Sequence, residues 1–160
     1  MKPSVVCREN HHFPRNCWQN VRSNVFCKMP YLFNSHAILA FFQDEQGSHE
    51  VAGILNHSLK QGIERLLCVV NLGEIIYLTK RRFGNRKKIE ILGQVYRLGF
   101  RVLSATDEIV FKAAEIKGEY PLSYADCFAV ACAMKHQAIL VTGDPEFDSV
   151  SRLISIHWIR

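Results

Sequence analysis

The stretch Leu122-Ser-Tyr-Ala-Asp-Cys-Phe-Ala-Val-Ala-Cys-Ala-Met134, followed after three residues by Ala138-Ile-Leu-Val-Thr-Gly-Asp-Pro145, decides the architecture. Ser123 is a good N-cap residue, and the run from Cys127 to Met134 is apolar on every face, so the first half predicts a helix buried on nearly all sides. The second half predicts a short buried strand. It is stopped by Thr142-Gly143-Asp144-Pro145, a turn signal that leaves a carboxylate just past the strand's C-terminal end. Open α/β sheets bind ligands at that edge. A helix start with Asp126 and a strand end with Asp144 therefore face a common crevice.

The same grammar extends outward in both directions. Tyr31-Leu-Phe33 predicts a first buried strand; Asn34-Ser-His36 and then Ala37 to Phe42 predict a helix directly after it. Gln43 to Ser48 is a polar loop, and Val51, Ile54, Leu55 and Leu59 recur at helical spacing between Glu50 and Lys60. Leu66 to Val70 predicts a second strand. Asn71 is expected to cap the next helix, with Glu74 in its first turn and Gly84 at its end. Ile89 to Leu98 forms a further helix, Phe100 to Leu103 a strand, and Thr106 to Gly118 a helix with Ile109, Ala113 and Ile116 turned inward. Ile154 to Ile159 alternates as an edge strand does. Strands alternating with helices predict an α/β fold with a short central parallel sheet and helices on both faces.

The 160 residues suffice for one domain with a real core. Residues 29–160 form that domain, and residues 1–28 an irregular extension without periodicity. Met29 is a candidate natural start; intact mass of the native protein tests this, and an N-terminus at Met1 refutes it. The formal charge of +5 points to nucleic acid only at first sight. The extension holds five basic residues against Glu9, leaving fifteen basic and fourteen acidic residues in the body. Six of those fifteen fall within Lys80-Arg-Arg-Phe-Gly-Asn-Arg-Lys-Lys88. Lys80, Arg81, Arg82, Arg86, Lys87 and Lys88 are thus either a phosphate-contacting surface or a solvated helix end whose cations complement the helix dipole. No run approaches the roughly eighteen apolar residues of a membrane span, and no signal sequence opens the chain, so a cytoplasmic location is expected. Cys68, Cys127 and Cys132 lie in apolar runs and read as reduced core residues. Cys7, Cys17 and Cys27, near His11 and His12, lack the close ligand spacing of a zinc site.

Four polar positions share one topological edge. Asn34 follows the first strand, Glu74 opens the helix after the second, Asp126 opens the central helix, and Asp144 follows the strand after it. Three carboxylates so placed repel, by about 1 kcal/mol per pair at 4 Å in water and about 4 kcal/mol at an effective dielectric of 20. A divalent cation relieves that repulsion. Oxygen donors without Cys or His favour Mg²⁺ or Mn²⁺. Taken singly, each position has a plainer reading: Ser123 with Asp126, and Asn71 with Glu74, have the spacing of a helix cap and its acidic partner, and Asp144 before Pro145 is an ordinary turn residue. His36, early in a helix, reads as structural.

At these residues the chain resembles the PIN domain, and within it the VapC-like toxin ribonucleases of bacterial toxin–antitoxin pairs. The resemblance is carried by Tyr31 to Ala40, Val70-Asn-Leu-Gly-Glu74, Leu122 to Ala129, and Leu140-Val-Thr-Gly-Asp-Pro-Glu-Phe147, in family order and spacing. It covers nearly all of residues 30–160 and none of the extension. It implies a three-layer α/β/α sandwich, a Mg²⁺- or Mn²⁺-dependent endoribonuclease acting on RNA, a homodimer, and neutralisation by a small antitoxin protein. Glu74, Asp126 and Asp144 fall on the family's acidic positions, and Ser35 where a small hydroxyl residue supports the site. The family's first acid is replaced by Asn34, which leaves about −3 where the pattern carries −4. An amide oxygen still ligates Mg²⁺ but brings no charge, and a lost contact of this kind commonly costs on the order of 10²-fold in rate. Two expectations follow: a metal-dependent nuclease, or a PIN-domain binding module impaired at Asn34.

Overall fold

The computed structural model describes residues 28–160. The extension and its cysteines and histidines, as far as residue 27, lie outside the described residues. Five short strands, β1 (Tyr31–Phe33), β2 (Arg65–Cys68), β3 (Arg101–Leu103), β4 (Ile139–Thr142) and β5 (Ile156–Trp158), form one sheet in the order β3-β2-β1-β4-β5. Every pairing is parallel, with Leu32 opposite Leu66 on one side and opposite Leu140 on the other. The connections carry helices α1 (Ser35–Gln43), α2 (Ser48–Gln61), α3 (Val69–Arg97), α4 (Asp107–Glu119) and α5 (Tyr124–His136), and a 3₁₀ helix at Pro145–Val150. The fold is the expected α/β/α sandwich.

Strand alternation divides the core in two. Leu32, Leu66, Cys68, Leu103 and Leu140 pack on the face covered by α4 and α5, together with Ile109, Ala113, Ile116 and the apolar run of α5. Tyr31, Phe33, Leu67 and Val141 point the other way, against Ala37, Ile38, Val51, Leu55, Ile75 and Val95 of α1, α2 and α3. Residues i and i+2 of a strand share a face, so three or four residues per strand feed both layers. Phe33 meets Phe100 edge to face, at 5.2 Å between ring centres and 85° between planes. Cys68, Cys127 and Cys132 are buried free thiols, as expected of core residues.

The structure corrects three local expectations. The second strand ends at Cys68, and α3 begins at Val69 with Cys68 as its N-cap, so Asn71 lies inside the helix instead of capping it. Its amide donates to the Ala125 carbonyl at 3.1 Å, fastening the first turn of α3 to that of α5. Leu59, placed inward by periodicity, is 54% exposed, two residues before the end of α2. Gly84 ends the first helical segment of α3 as expected, but it is followed at once by the second, which was expected only from Ile89. It breaks α3 at a single residue with φ 81° and ψ −178°, and the helix resumes at once, so the whole basic run is helical on either side of the break.

Candidate active site

The chain leaves β1 outward to β2 and β3 and then returns across to β4 on β1's other flank. The strand order therefore reverses between β1 and β4, and their C-terminal ends frame the crevice where α/β folds place ligands. Asn34 stands at the end of β1, its backbone N–H donating to the Val141 carbonyl at 3.4 Å. Asp144 stands just past the end of β4.

Local structure builds this edge from helix starts. Ser123 caps α5 as predicted: its hydroxyl accepts from the Asp126 N–H at 3.1 Å and donates to the Asp126 carboxylate at 2.6 Å. Asp144 caps the 3₁₀ helix, accepting from the Glu146 N–H at 2.9 Å, while its own N–H donates to the Thr142 hydroxyl at 3.1 Å. That cap curls the chain back and brings Glu146 to the crevice. A Cβ on Gly143 would stand 2.8 Å from the His36 ring and 3.0 Å from the Ile159 carbonyl, so this turn admits only glycine without displacing a neighbour. His36 thus packs against the turn, as a structural residue does.

Carboxylate oxygens of Asp126, Asp144 and Glu146 all lie within 4.8 Å of one another, a spacing at which one ion can touch all three. Glu146 was not among the residues expected from sequence; two positions after Asp144 in a polar turn, it reads as a solvated acid. Burial pushes the Asp126 carboxyl up to about 6 from its ordinary 3.8. The Ser123 hydroxyl pulls it down, and the negative charges of Glu74, Asp144 and Glu146 push it further up. Four carboxylates thus share the edge, and a cation there would relieve both repulsion and desolvation. The donor set, oxygen only, fits Mg²⁺ or Mn²⁺.

The other two expected ligands are engaged differently. Asn34 is buried, and its side-chain oxygen accepts from the Ala37 N–H at 3.0 Å as the N-cap of α1, while its amide nitrogen is buried without a partner among the described residues. Glu74 is half-buried outside the group of three; it accepts from the Ser35 hydroxyl at 2.5 Å and lies 3.5 Å from the Tyr77 hydroxyl. Ser35 therefore supports Glu74 directly. Of the basic residues from Lys80 to Lys88, Lys80, Arg81, Arg82 and Arg86 are exposed on α3, and Lys87 and Lys88 are half-buried; Arg82 pairs with Glu45 at 3.5 Å and Lys87 with Glu90 at 2.9 Å.

The model of the PIN domain family matches residues 31–153. The chain belongs to the PIN-domain family. Among solved structures, the PIN-domain chain is similar to VapBC2 of Rickettsia felis, determined on a DNA fragment from its promoter, with a TM-score of 0.67 and 14% identity over 82% of this chain and 100% of that one. It is similar to DNA-bound VapBC of Salmonella typhimurium, with a TM-score of 0.63 and 15% identity over 81% and 97%. It is also similar to VapC20 of Mycobacterium tuberculosis, a sarcin-ricin loop cleaving toxin, with a TM-score of 0.61 and 17% identity over 75% and 94%. At such identities the likeness is one of fold. No curated protein sequence matches the chain.

Proposed function

We propose that this PIN domain is a metal-dependent endoribonuclease of the VapC type, the toxin of a toxin–antitoxin pair, working in the cytoplasm as a homodimer and held in check by a small antitoxin. The observation that carries the reading is the convergence of Asp126, Asp144 and Glu146 within 4.8 Å at the switch point of a PIN fold. Asp126, Asp144 and Glu146 would hold Mg²⁺ or Mn²⁺, with Glu74 beside them. When bound, the ion supplies an activated water and charge stabilisation for a phosphoryl transition state. Asp126 is positioned by Ser123, and Glu74 by Ser35, so both carboxylates are oriented before substrate arrives. Lys80, Arg81, Arg86 and Lys88 have no ion pair among the described residues and are free to meet phosphates.

A second reading is favoured by Asn34: with its oxygen spent on capping α1, it offers a donor where the family pattern carries an acid, and the domain then binds partners without cutting. Calorimetric titration of Mn²⁺ separates the two. Binding by the parent that Asp126→Ala abolishes, followed by metal-dependent RNA cleavage, supports the nuclease. Absent binding that appears only in Asn34→Asp supports the impaired module.

A further inference from the structure

Helix α3 carries more than Glu74 to the active edge. Glu74, Tyr77 and Arg81 follow one another at i, i+3 and i+7, which places them in one stripe, with Arg81 about 10 Å beyond Glu74 along the axis. Tyr77 is 53% exposed, and its hydroxyl lies 3.5 Å from the Glu74 carboxylate, so the ring stands at the rim of the crevice. It forms no aromatic pair among the described residues. An exposed ring followed one turn on by an unpaired cation suits a single nucleic-acid strand: a base offers a face to the ring, and a phosphate a charge to the guanidinium. A duplex keeps its bases stacked on one another and offers a protruding ring no such face.

We propose that Tyr77 is a base-stacking platform that seats an unpaired RNA nucleotide beside the carboxylate cluster, with Arg81 taking a phosphate further along α3. This rests on the nuclease reading. Tyr77 is a positioning residue: it acts by placing the strand.

The test is fluorescence anisotropy with labelled eight-nucleotide RNAs, base-bearing and abasic, in EDTA so that no strand is cut. The proposal expects the parent to prefer the base-bearing strand, and Tyr77→Ala to lose on the order of tenfold in affinity for it while binding the abasic strand unchanged. Tyr77→Phe retains parental binding, because the ring is kept. Equal losses on both strands, no loss on either, or failure of the parent to bind overturns the proposal. So does a Tyr77→Ala protein whose mass by light scattering falls from dimer to monomer, which would make the ring an interface between copies. Cleavage assays in Mn²⁺ keep the two readings apart. Base-dependent binding without cleavage removes the nuclease and leaves the platform, whereas cleavage indifferent to Tyr77→Ala removes the platform and leaves the nuclease.

Discussion

Asp126 ties the stability of the metal-free protein to pH in a direction opposite to that of most carboxylates. Its folded-state value is raised, from 3.8 to about 6, by burial and by the neighbouring negative charges of Glu74, Asp144 and Glu146. The native state therefore holds this proton more tightly than the unfolded chain. The associated stability is fully present below pH 3.8 and is lost as pH rises through about 6. At about 1.4 kcal/mol per tenfold change in proton affinity, the full effect is about 3 kcal/mol, of which about 2 kcal/mol falls between pH 4.5 and 7.5. Urea unfolding in EDTA across that window measures it. Asp126→Asn retains an oxygen to accept from Ser123 but has no proton to lose, so it should remove this loss and be the more stable protein at pH 7.5. Parallel stability curves for parent and variant would refute the reasoning, because the carboxylate would then titrate alike in both states.

Other outcomes follow from single contacts. Glu146→Gln should weaken Mn²⁺ binding at least tenfold by calorimetry, whereas Asn34→Asp should strengthen it while lowering metal-free stability at pH 7.5, since it adds a buried charge to the edge. Ser123→Ala removes the cap of α5 and should cost about 1 kcal/mol in urea unfolding. Gly84→Ala forces a side chain onto a backbone conformation that is essentially glycine's alone, and should cost about 1 to 3 kcal/mol with no loss of packing elsewhere, as read by thermal unfolding.

Sequence periodicity disclosed the sandwich because each layer is built from apolar runs of ordinary length. The central helix is the clearest case: an apolar run with a serine before it has one economical reading, and α5 occupies it. Asn71 misled because the junction from β2 to α3 has no loop. The apolar run Leu66 to Val70 passes from strand to helix in mid-course, and the first polar residue after it looks like a cap, although Cys68 holds the N-cap position and makes no side-chain capping bond. Asn71 instead satisfies a carbonyl of α5, a long-range partner that periodicity does not disclose. Asp126 and Asp144 were legible from their place in the α/β order. Glu146 was not, because its position depends on the Asp144 cap turning a polar segment into a 3₁₀ helix. The engagement of the Asn34 oxygen was hidden for a related reason: the same atom can cap or ligate, and only the folded geometry decides which N–H it meets.

The pairing of β1 with β4 also governs when the crevice comes into being. Leu32 lies opposite Leu140, so two strands that frame it are separated by more than a hundred residues of intervening chain. Contacts of such separation close late, after the loop entropy of everything between them has been spent. During synthesis β1, α1, α2 and β2 can assemble while α5 and β4 are still being made. A ribosome stalled before Ile139 would carry a partly folded chain whose acidic edge lacks Asp144 and Glu146 altogether, so the group of three carboxylates is completed only once β4 and the turn after it have been made.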